Sequence, residues 1–357
     1  MTMSGPDFLT TPLGEHRLLA RFGPQLGRRL WILDPLSAAV WDAARVGLGR
    51  EEIAVYLAER FQLPLDQILA DVTRLLASWP ANSNTYERTL RLADRQLALS
   101  VEDERLAASV EECVGHLSCA SEGPTHGHLR LEGGSENWSL FADARLVATG
   151  ESLDDALAYT LTELIEAACD TDRRLLVLHA AAVCRAESGL VLMGVGGAGK
   201  STLATALNAS GWDLLGDDVI PVTLEGQLLG LGLGPYLKPG SWPVLEPLMP
   251  ELDGSPQFRR MDQLVRVPRP RGARNLGPVS ATAFLVPRYQ PGCEPDWQQL
   301  TPVEVLRAMV DARSVLPYLD QTRLDRLAGW VASAPGYALT YPDLDSALRM
   351  LERARLI

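Results

Sequence analysis

The chain has 357 residues, a hydrophobic content of 46%, a charged content of 22% and a formal net charge of −12. This length allows about two or three domains with a large core, in a soluble globular protein. The negative charge argues against a nucleic-acid or anionic-membrane partner, and no apolar run is long enough to predict a membrane span. Residues 1–6 do not resemble a signal peptide and the five cysteines show no CxxC spacing, so we expect reduced thiols and a cytoplasmic location.

Residues 1–82 predict a small winged-helix-like unit that precedes the rest of the chain. Its predicted elements are strands at 17–22 and 29–33 and helices from Asp34-Pro35, near 50–61 and near 64–79. A helix that reads DNA should carry Lys, Arg or Asn toward a groove. The third helix instead carries Asp66, Asp71 and a single arginine, so we do not expect DNA binding.

The segment from Trp31 to Trp41 resembles the core of PqqD-like domains, also called RiPP recognition elements. Residues 51–54 and the pair Asp71-Val72 match that family too. Such domains bind leader peptides of ribosomally made precursors, and the resemblance implies capture by strand addition beside a groove lined by the third helix. The implied peptide-binding residues are Leu30, Trp31, Ile32, Leu65, Leu69 and Val72. A purely structural accessory domain is the alternative.

Residues 83–170 are predicted to form an α+β segment that packs on the C-terminal domain. A predicted linker at 80–84 overlaps its start. Its predicted strands and helices lie at 89–92, 96–101, 103–117, 128–131, 138–141 and 152–169. Ser152 is the expected N-cap of the last helix. The segment's three histidines lack the helical i, i+4 spacing of a metal site, so we assign it no chemistry.

The third domain, at 171–357, contains a phosphate-binding motif. Residues 194–201 read Gly-Val-Gly-Gly-Ala-Gly-Lys-Ser, between a predicted strand at 190–193 and a predicted helix from Thr202. Glycines allow consecutive N–H groups to form an anion nest, Lys200 neutralises phosphate charge, and the Ser201 hydroxyl is a hard ligand for Mg²⁺. The predicted nucleotide-binding residues are Gly194, Val195, Gly196, Gly197, Ala198, Gly199, Lys200, Ser201 and Thr202.

Two carboxylates and a histidine accompany this loop in the sequence. Asp217 and Asp218 follow the apolar pair at 214–215, where a metal ligand or a water-coupled carboxylate belongs. If they face opposite ways, one can hold the metal while the other accepts a proton from an incoming hydroxyl. His179 ends a predicted strand that is directed at the loop.

Together, His179, the loop at 194–201 and Asp217-Asp218 resemble the HPr kinase/phosphorylase family in identity and spacing. The resemblance covers about residues 170–350 and implies an α/β core similar to phosphoenolpyruvate carboxykinases, within a chain that is α+β overall. It implies ATP and Mg²⁺ as cofactors, with Lys200 binding the phosphates and Ser201 binding the metal. Asp217, the first of the two carboxylates, is the expected second metal ligand. Asp218 would be the base for the accepting serine, and His179 would lie beside the transferred group.

Departures from that family change the expected substrate. Thr202 stands where the HPr enzymes have Glu, and residues 235–241 instead resemble HprK-related kinases found beside peptide-modification genes. Lys238 in this segment, with Arg259 and Arg260, is a candidate clamp for phosphate or an acidic substrate. A surface lysine and a solvated basic loop are the alternatives. The basic stretch contains Arg259, Arg260, Arg266, Arg269, Arg271 and Arg274.

We therefore expect an ATP-dependent kinase that phosphorylates a Ser (or Thr) hydroxyl of a precursor peptide captured by residues 1–82. A nucleotide-gated peptide chaperone or adaptor is one alternative, and a kinase of a small hydroxylated metabolite is another. A GTPase is disfavoured because the sequence contains no [NT]-K-x-D motif. The identity of the peptide, the arginine that assists transfer, phosphorolysis and the presence of a homo-oligomer are left open.

Overall fold

The computed structural model describes residues 8–13, 16–21, 29–45, 50–78, 86–120, 125–143, 145–272, 277–316 and 320–356. Within these ranges the protein has a mixed α/β architecture, in which helices pack on three-, five- and nine-stranded sheets and a two-stranded hairpin lies beside them. None of the described helices is long and apolar enough to cross a membrane. The predicted linker at 80–84 and Arg274 lie outside the described residues.

The N-terminal elements are a three-stranded antiparallel sheet and three helices. In chain order they are β1 (Phe8–Leu13), β2 (His16–Arg21), β3 (Arg29–Leu33), α1 (Pro35–Arg45), α2 (Arg50–Phe61) and α3 (Leu65–Ser78). Asp34 caps α1, because its carboxylate accepts a hydrogen bond from the Ser37 N–H at 2.7 Å. The sequence does not predict β1, whose Thr-Thr-Pro stretch lacks an alternating apolar pattern.

The middle segment is a five-stranded sheet covered by two helices. Its elements are β4 (Tyr86–Leu92), β5 (Arg95–Val101), α4 (Glu104–Val114), β6 (His128–Gly134), β7 (Asn137–Ala142), β8 (Arg145–Gly150) and α5 (Leu153–Cys169). Ser152 caps α5 as predicted, since its side chain accepts a hydrogen bond from the Asp155 N–H. Tyr236 and Phe258 from later in the chain belong to the same hydrophobic core, so this layer packs on the elements that follow it.

The remaining residues build the nine-stranded sheet and its helices. They comprise β9 (Arg174–Leu178), β10 (Ala181–Arg185), β11 (Ser188–Leu192), α6 (Lys200–Ala209), β12 (Asp213–Gly216), β13 (Ile220–Thr223), β14 (Gln227–Leu228), α7 (Trp242–Leu245), β15 (Gln257–Arg260), β16 (Gln263–Arg266), β17 (Val279–Tyr289), β18 (Asp296–Leu300), α8 (Pro302–Asp311), α9 (Gln321–Ala332), β19 (Gly336–Tyr341) and α10 (Leu344–Arg353). The sheet order is β12-β10-β11-β17-β14-β13-β9, with β19 also paired to β17 and β18 to β19. Strands β15 and β16 form the separate hairpin.

The strand register brings distant residues to one edge of this sheet. Ala181 at the start of β10 pairs with Leu192 at the end of β11, and Gly216 at the end of β12 pairs with Ala182. Leu178 of β9 pairs with Ile220 of β13, so the connections 179–180 and 217–219 run side by side. The residues after β9, β11 and β12 therefore meet at the same place.

The sequence of residues 300–319 predicts one helix, but the helix that the structure has there is shorter. It is capped by Thr301 and ends at Asp311, after which Arg313 has a φ of 61° in the left-handed region. Val315 then joins Val177 through two backbone hydrogen bonds of 2.9 and 2.7 Å. This pairing between distant segments ends the helix early, because residues 313–315 turn onto β9 instead of continuing α8.

Candidate functional site

The predicted phosphate-binding loop, residues 194–199, is called the phosphate loop below. It joins β11 to α6, in the strand–loop–helix order that the motif predicts. Gly197 has a φ of 83°, and an added Cβ there would meet no described atom within 4 Å, so the loop is open on that side. Gly199 has a φ of 96°, and a Cβ there would collide with the Tyr341 hydroxyl oxygen. Glycine is thus required at 199 by backbone conformation and by space, while the open loop leaves room for an anion.

Lys200 is the first residue of α6, and its amine folds back over the loop. The Nζ atom donates hydrogen bonds to the carbonyl oxygens of Gly194 at 2.8 Å and Val195 at 3.3 Å. Burial lowers the pKa of Lys200, while the nearby carboxylates of Asp217 and Asp218 oppose this shift. The ammonium lies where it would contact phosphate oxygens bound in the loop.

Asp217 is buried and points toward the phosphate loop. Its Oδ2 accepts a hydrogen bond from the Tyr236 N–H at 3.3 Å. Within the described part of the chain, its buried Oδ1 has no hydrogen-bond partner. Burial and the charge of Asp218 raise the pKa of Asp217, and the adjacent Ser201 hydroxyl opposes that rise. A buried carboxylate oxygen without a donor, beside a hydroxyl, fits a hard divalent cation, so Ser201 and Asp217 suit Mg²⁺.

Asp218 contacts other residues than Asp217 does, and its side chain is partly exposed to solvent. Its φ of 68° lies in the left-handed region, which aspartate tolerates better than most side chains and which turns the chain between the two carboxylates. Its Oδ2 accepts a hydrogen bond from the Arg260 Nη1 at 3.1 Å, and its Oδ1 lies 3.8 Å from the His179 Nε2. The two carboxylates are therefore available for different tasks, one inside the loop and one at its mouth.

His179 follows β9 and lies at the mouth of the site with its side chain half exposed. Its backbone N–H donates a hydrogen bond to the Ser314 Oγ at 3.2 Å, which ties it to the turn after α8. Burial lowers the pKa of His179, while the Asp218 carboxylate opposes this. Three positive charges lower it further, those of Lys200, Arg260 and Arg313. Together these effects favour the uncharged form of the imidazole.

The structure brings Arg260 to the site but not Arg259. Successive side chains of β15 point to opposite faces, and Arg260 shares the face of the buried Phe258. Its guanidinium lies over the Tyr236 ring at 4.1 Å and reaches Asp218. Arg259 is exposed on the other face, where its Nη1 donates to the Asp262 carbonyl oxygen at 3.4 Å. The structure therefore places Arg259 away from Asp218, and its role as a clamp stays a prediction.

Two other arginines of the basic stretch, Arg266 and Arg271, form ion pairs outside the site, whereas the charge of Lys238 acts on the loop. Arg266 pairs with Asp253 at 2.8 Å and Arg271 pairs with Glu251 at 2.6 Å. Lys238 is exposed, and its charge contributes to lowering the pKa of Lys200, which places it within electrostatic reach of the phosphate loop. Its role as a clamp stays a prediction.

Arg313 is a site residue that the sequence does not predict. It lies close enough to His179 to lower the pKa of that imidazole, and the Val177–Val315 pairing holds its backbone in position. No local motif marks it, because its approach to His179 depends on a long-range contact. Tyr236, which supports Arg260 and donates its N–H to Asp217, is likewise revealed only by the fold.

Replacing Arg313 by glutamine is expected to raise the pKa of His179, because one of the positive charges that oppose protonation is removed. NMR titration of the imidazole carbon-bound proton measures this pKa. Arg326→Gln is the matched control, since the Arg326 guanidinium binds the Leu224 carbonyl oxygen at 3.1 Å in another part of the surface. An unchanged pKa in Arg313→Gln would show that Arg313 does not belong to the site.

Of the proposed peptide-binding residues, Leu30, Trp31 and Ile32 lie in β3, where they pair with β2. The order β1-β2-β3 places β3 at an edge of the three described strands. Leu65 is 48% exposed at the start of α3, and Leu69 is half-buried. Val72 is fully buried in the core formed by α1, α2 and α3, and its contact with a peptide stays a prediction.

Solved structures of other proteins resemble part of this chain, and one of them is a kinase/phosphatase. The Hpr(Ser) kinase/phosphatase from Coxiella burnetii is similar over 50% of this chain and 97% of its own, with a TM-score of 0.22 and 14% identity. No protein-family model and no curated protein sequence matches the chain. The function is therefore inferred from the residues of this chain.

Proposed function

We propose that this protein is an ATP- and Mg²⁺-dependent kinase that phosphorylates a Ser (or Thr) hydroxyl of a ribosomally made precursor peptide bound by residues 1–82. The observation that carries the proposal is the placement of two carboxylates on opposite sides of one turn beside a phosphate loop. Asp217 faces the Ser201 hydroxyl and Asp218 faces His179. This arrangement separates metal binding from proton transfer.

The phosphate-binding part of the proposal rests on the loop and α6. Backbone N–H groups of the loop and of the first turn of α6 would bind the phosphate oxygens, and Lys200 would exchange its two carbonyl contacts for contacts with phosphate. Ser201 and Asp217 would hold Mg²⁺, which when bound neutralises negative charge on the phosphates. The open space at Gly197 is consistent with an anion in the loop.

The transfer step is proposed to use Asp218 as the base. The peptide hydroxyl oxygen would form a bond to the γ-phosphorus as the bond from that phosphorus to the β–γ bridging oxygen breaks, releasing ADP. The hydroxyl proton would go to the Asp218 carboxylate. Arg260 orients that carboxylate through Oδ2, leaving Oδ1 toward His179. The imidazole of His179 would then lie beside the transferred group, and the charge of Arg313 would act on it from nearby.

Peptide capture is proposed to involve the edge of β3 and the exposed start of α3. An edge strand offers unpaired backbone groups to an extended peptide, and an apolar side chain beside it adds burial. Among the described large apolar side chains of α3, Leu65 is the exposed one. Val55 is 47% exposed on α2 and serves as a matched residue outside the proposed groove.

Leu65→Asp is expected to weaken peptide binding by about tenfold or more. The bound peptide would bury the leucine side chain, and such burial contributes roughly 1.5–3 kcal/mol to the free energy of binding. The probe is a fluorescent serine-containing peptide that is first selected from a synthetic library by its binding to the full chain. Its affinity is then measured by fluorescence anisotropy. Val55→Asp should bind like the wild type. Equal affinities for the wild type and Leu65→Asp would contradict the assignment of the peptide to this groove.

A further inference from the structure

The side of the phosphate loop opposite the carboxylates carries two tyrosines. Strands β17 and β19 run parallel to β11, so their ends lie at the same edge as the loop. Tyr289 ends β17 and Tyr341 ends β19, and the two are register partners. The Tyr289 N–H donates a hydrogen bond to the Ala198 carbonyl oxygen at 3.1 Å, which joins this strand end to the loop itself.

The sheet order gives the loop two chemically different flanks. His179 lies two residues before β10 and Asp218 two residues after β12, where the start of β10 pairs with the ends of β11 and β12, so both lie on the β10 side of the loop. On the β17 side lie the tyrosines. A nucleoside triphosphate is an extended molecule, so a γ-phosphate placed at Asp218 directs the nucleoside toward the β17 flank. The proposed orientation of the nucleotide, with its γ-phosphate at Asp218, therefore predicts a surface on that flank that binds the base.

Tyr289 has the properties of such a surface. Tyr289 is 49% exposed although it ends a strand of the central sheet, so part of a large aromatic side chain is open to a ligand. Its ring centroid lies 5.9 Å from that of the buried Tyr341, which supports it from behind. Its Cβ lies 3.5 Å from the position of a Cβ at Gly199, so the exposed ring begins directly beside the loop.

We infer that the Tyr289 ring is the platform on which the base of the bound nucleotide stacks, an inference that rests on the proposed nucleotide binding. Stacking on an aromatic ring tolerates different bases, because every base presents a flat π-face. Tyr289 accordingly contributes to affinity for nucleotides but not for a bare polyphosphate chain. Phenylalanine at 289 would preserve this contribution, whereas alanine would remove it.

Calorimetric titration of the full chain with Mg·ATP and with magnesium tripolyphosphate tests this inference. Tyr289→Ala should weaken ATP binding by about tenfold and leave tripolyphosphate binding unchanged. Tyr289→Phe should bind both like the wild type. Tyr159→Ala is the control, since Tyr159 is 47% exposed on α5. Retained tripolyphosphate binding also shows that the loop of each variant is folded.

Two results would overturn the platform while leaving the proposed function intact. One is Tyr289→Ala binding ATP like the wild type, and the other is an equal loss of affinity for ATP and tripolyphosphate. A wild-type chain that binds neither probe would overturn the nucleotide site and the platform together.

Discussion

Asp218→Asn is expected to reduce phosphoryl transfer by about 10²–10⁴-fold, the usual contribution of a general base. Asparagine keeps the size of the side chain and an oxygen that can accept the 3.1 Å bond from Arg260, but it cannot take up the hydroxyl proton. ATP binding should change little, because Asp218 lies at the mouth of the site and Asp217 faces the loop. Transfer of labelled γ-phosphate and calorimetric ATP affinity give the two readings.

Asp296→Asn is the matched control for that experiment. Asp296 is an exposed carboxylate of β18 that accepts a hydrogen bond from the Gln298 amide at 2.8 Å, so its neutralisation should leave both readings unchanged. Undiminished transfer by Asp218→Asn would remove Asp218 from the mechanism. A wild type that binds ATP and peptide but transfers nothing would support the adaptor alternative.

Lys200→Ala is expected to weaken ATP binding by about a hundredfold and to abolish transfer with it. The ammonium is buried over the loop, and charge-assisted hydrogen bonds of this kind contribute about 1.5–3 kcal/mol. Equilibrium titration with Mg·ATP measures the loss, and thermal unfolding checks that the variant is folded.

Lys238→Ala provides the comparison for Lys200→Ala, since these are the only two lysines in the chain. Lys238 is exposed, so solvent and salt screen its charge, and its removal should change ATP affinity by much less. Equal effects of the two substitutions would mean that the Lys200 amine does not contact the phosphates.

The position of the candidate site in the fold could be predicted from the sequence because the residues that determine this position are neighbours in the chain. The glycines, Lys200 and Ser201 are contiguous, and the strand and helix around them have clear periodicity. Asp217-Asp218 follows a short buried strand, as the apolar pair at 214–215 predicts. The caps at Asp34 and Ser152 are recognisable for the same reason, since an N-cap depends on a few neighbouring residues.

What the sequence could not predict depends on strand register and distant pairing. Arg259 and Arg260 are adjacent, and only the register of the β15–β16 hairpin decides which one reaches Asp218. Arg313 comes near enough to His179 to affect its pKa because Val315 pairs with Val177. Tyr289 lies beside the loop because β17 is parallel to β11. Local periodicity contains none of these relations.

Phosphorus NMR of the wild-type chain with Mg·ATP and a tightly bound serine-containing peptide tests the central claim most directly. The proposal predicts a phosphomonoester resonance coupled to serine β-protons, formed in equal amount with ADP and absent from the Asp218→Asn sample. Stable peptide and ATP, or ADP formed with inorganic phosphate while the bound peptide stays unmodified, would contradict it.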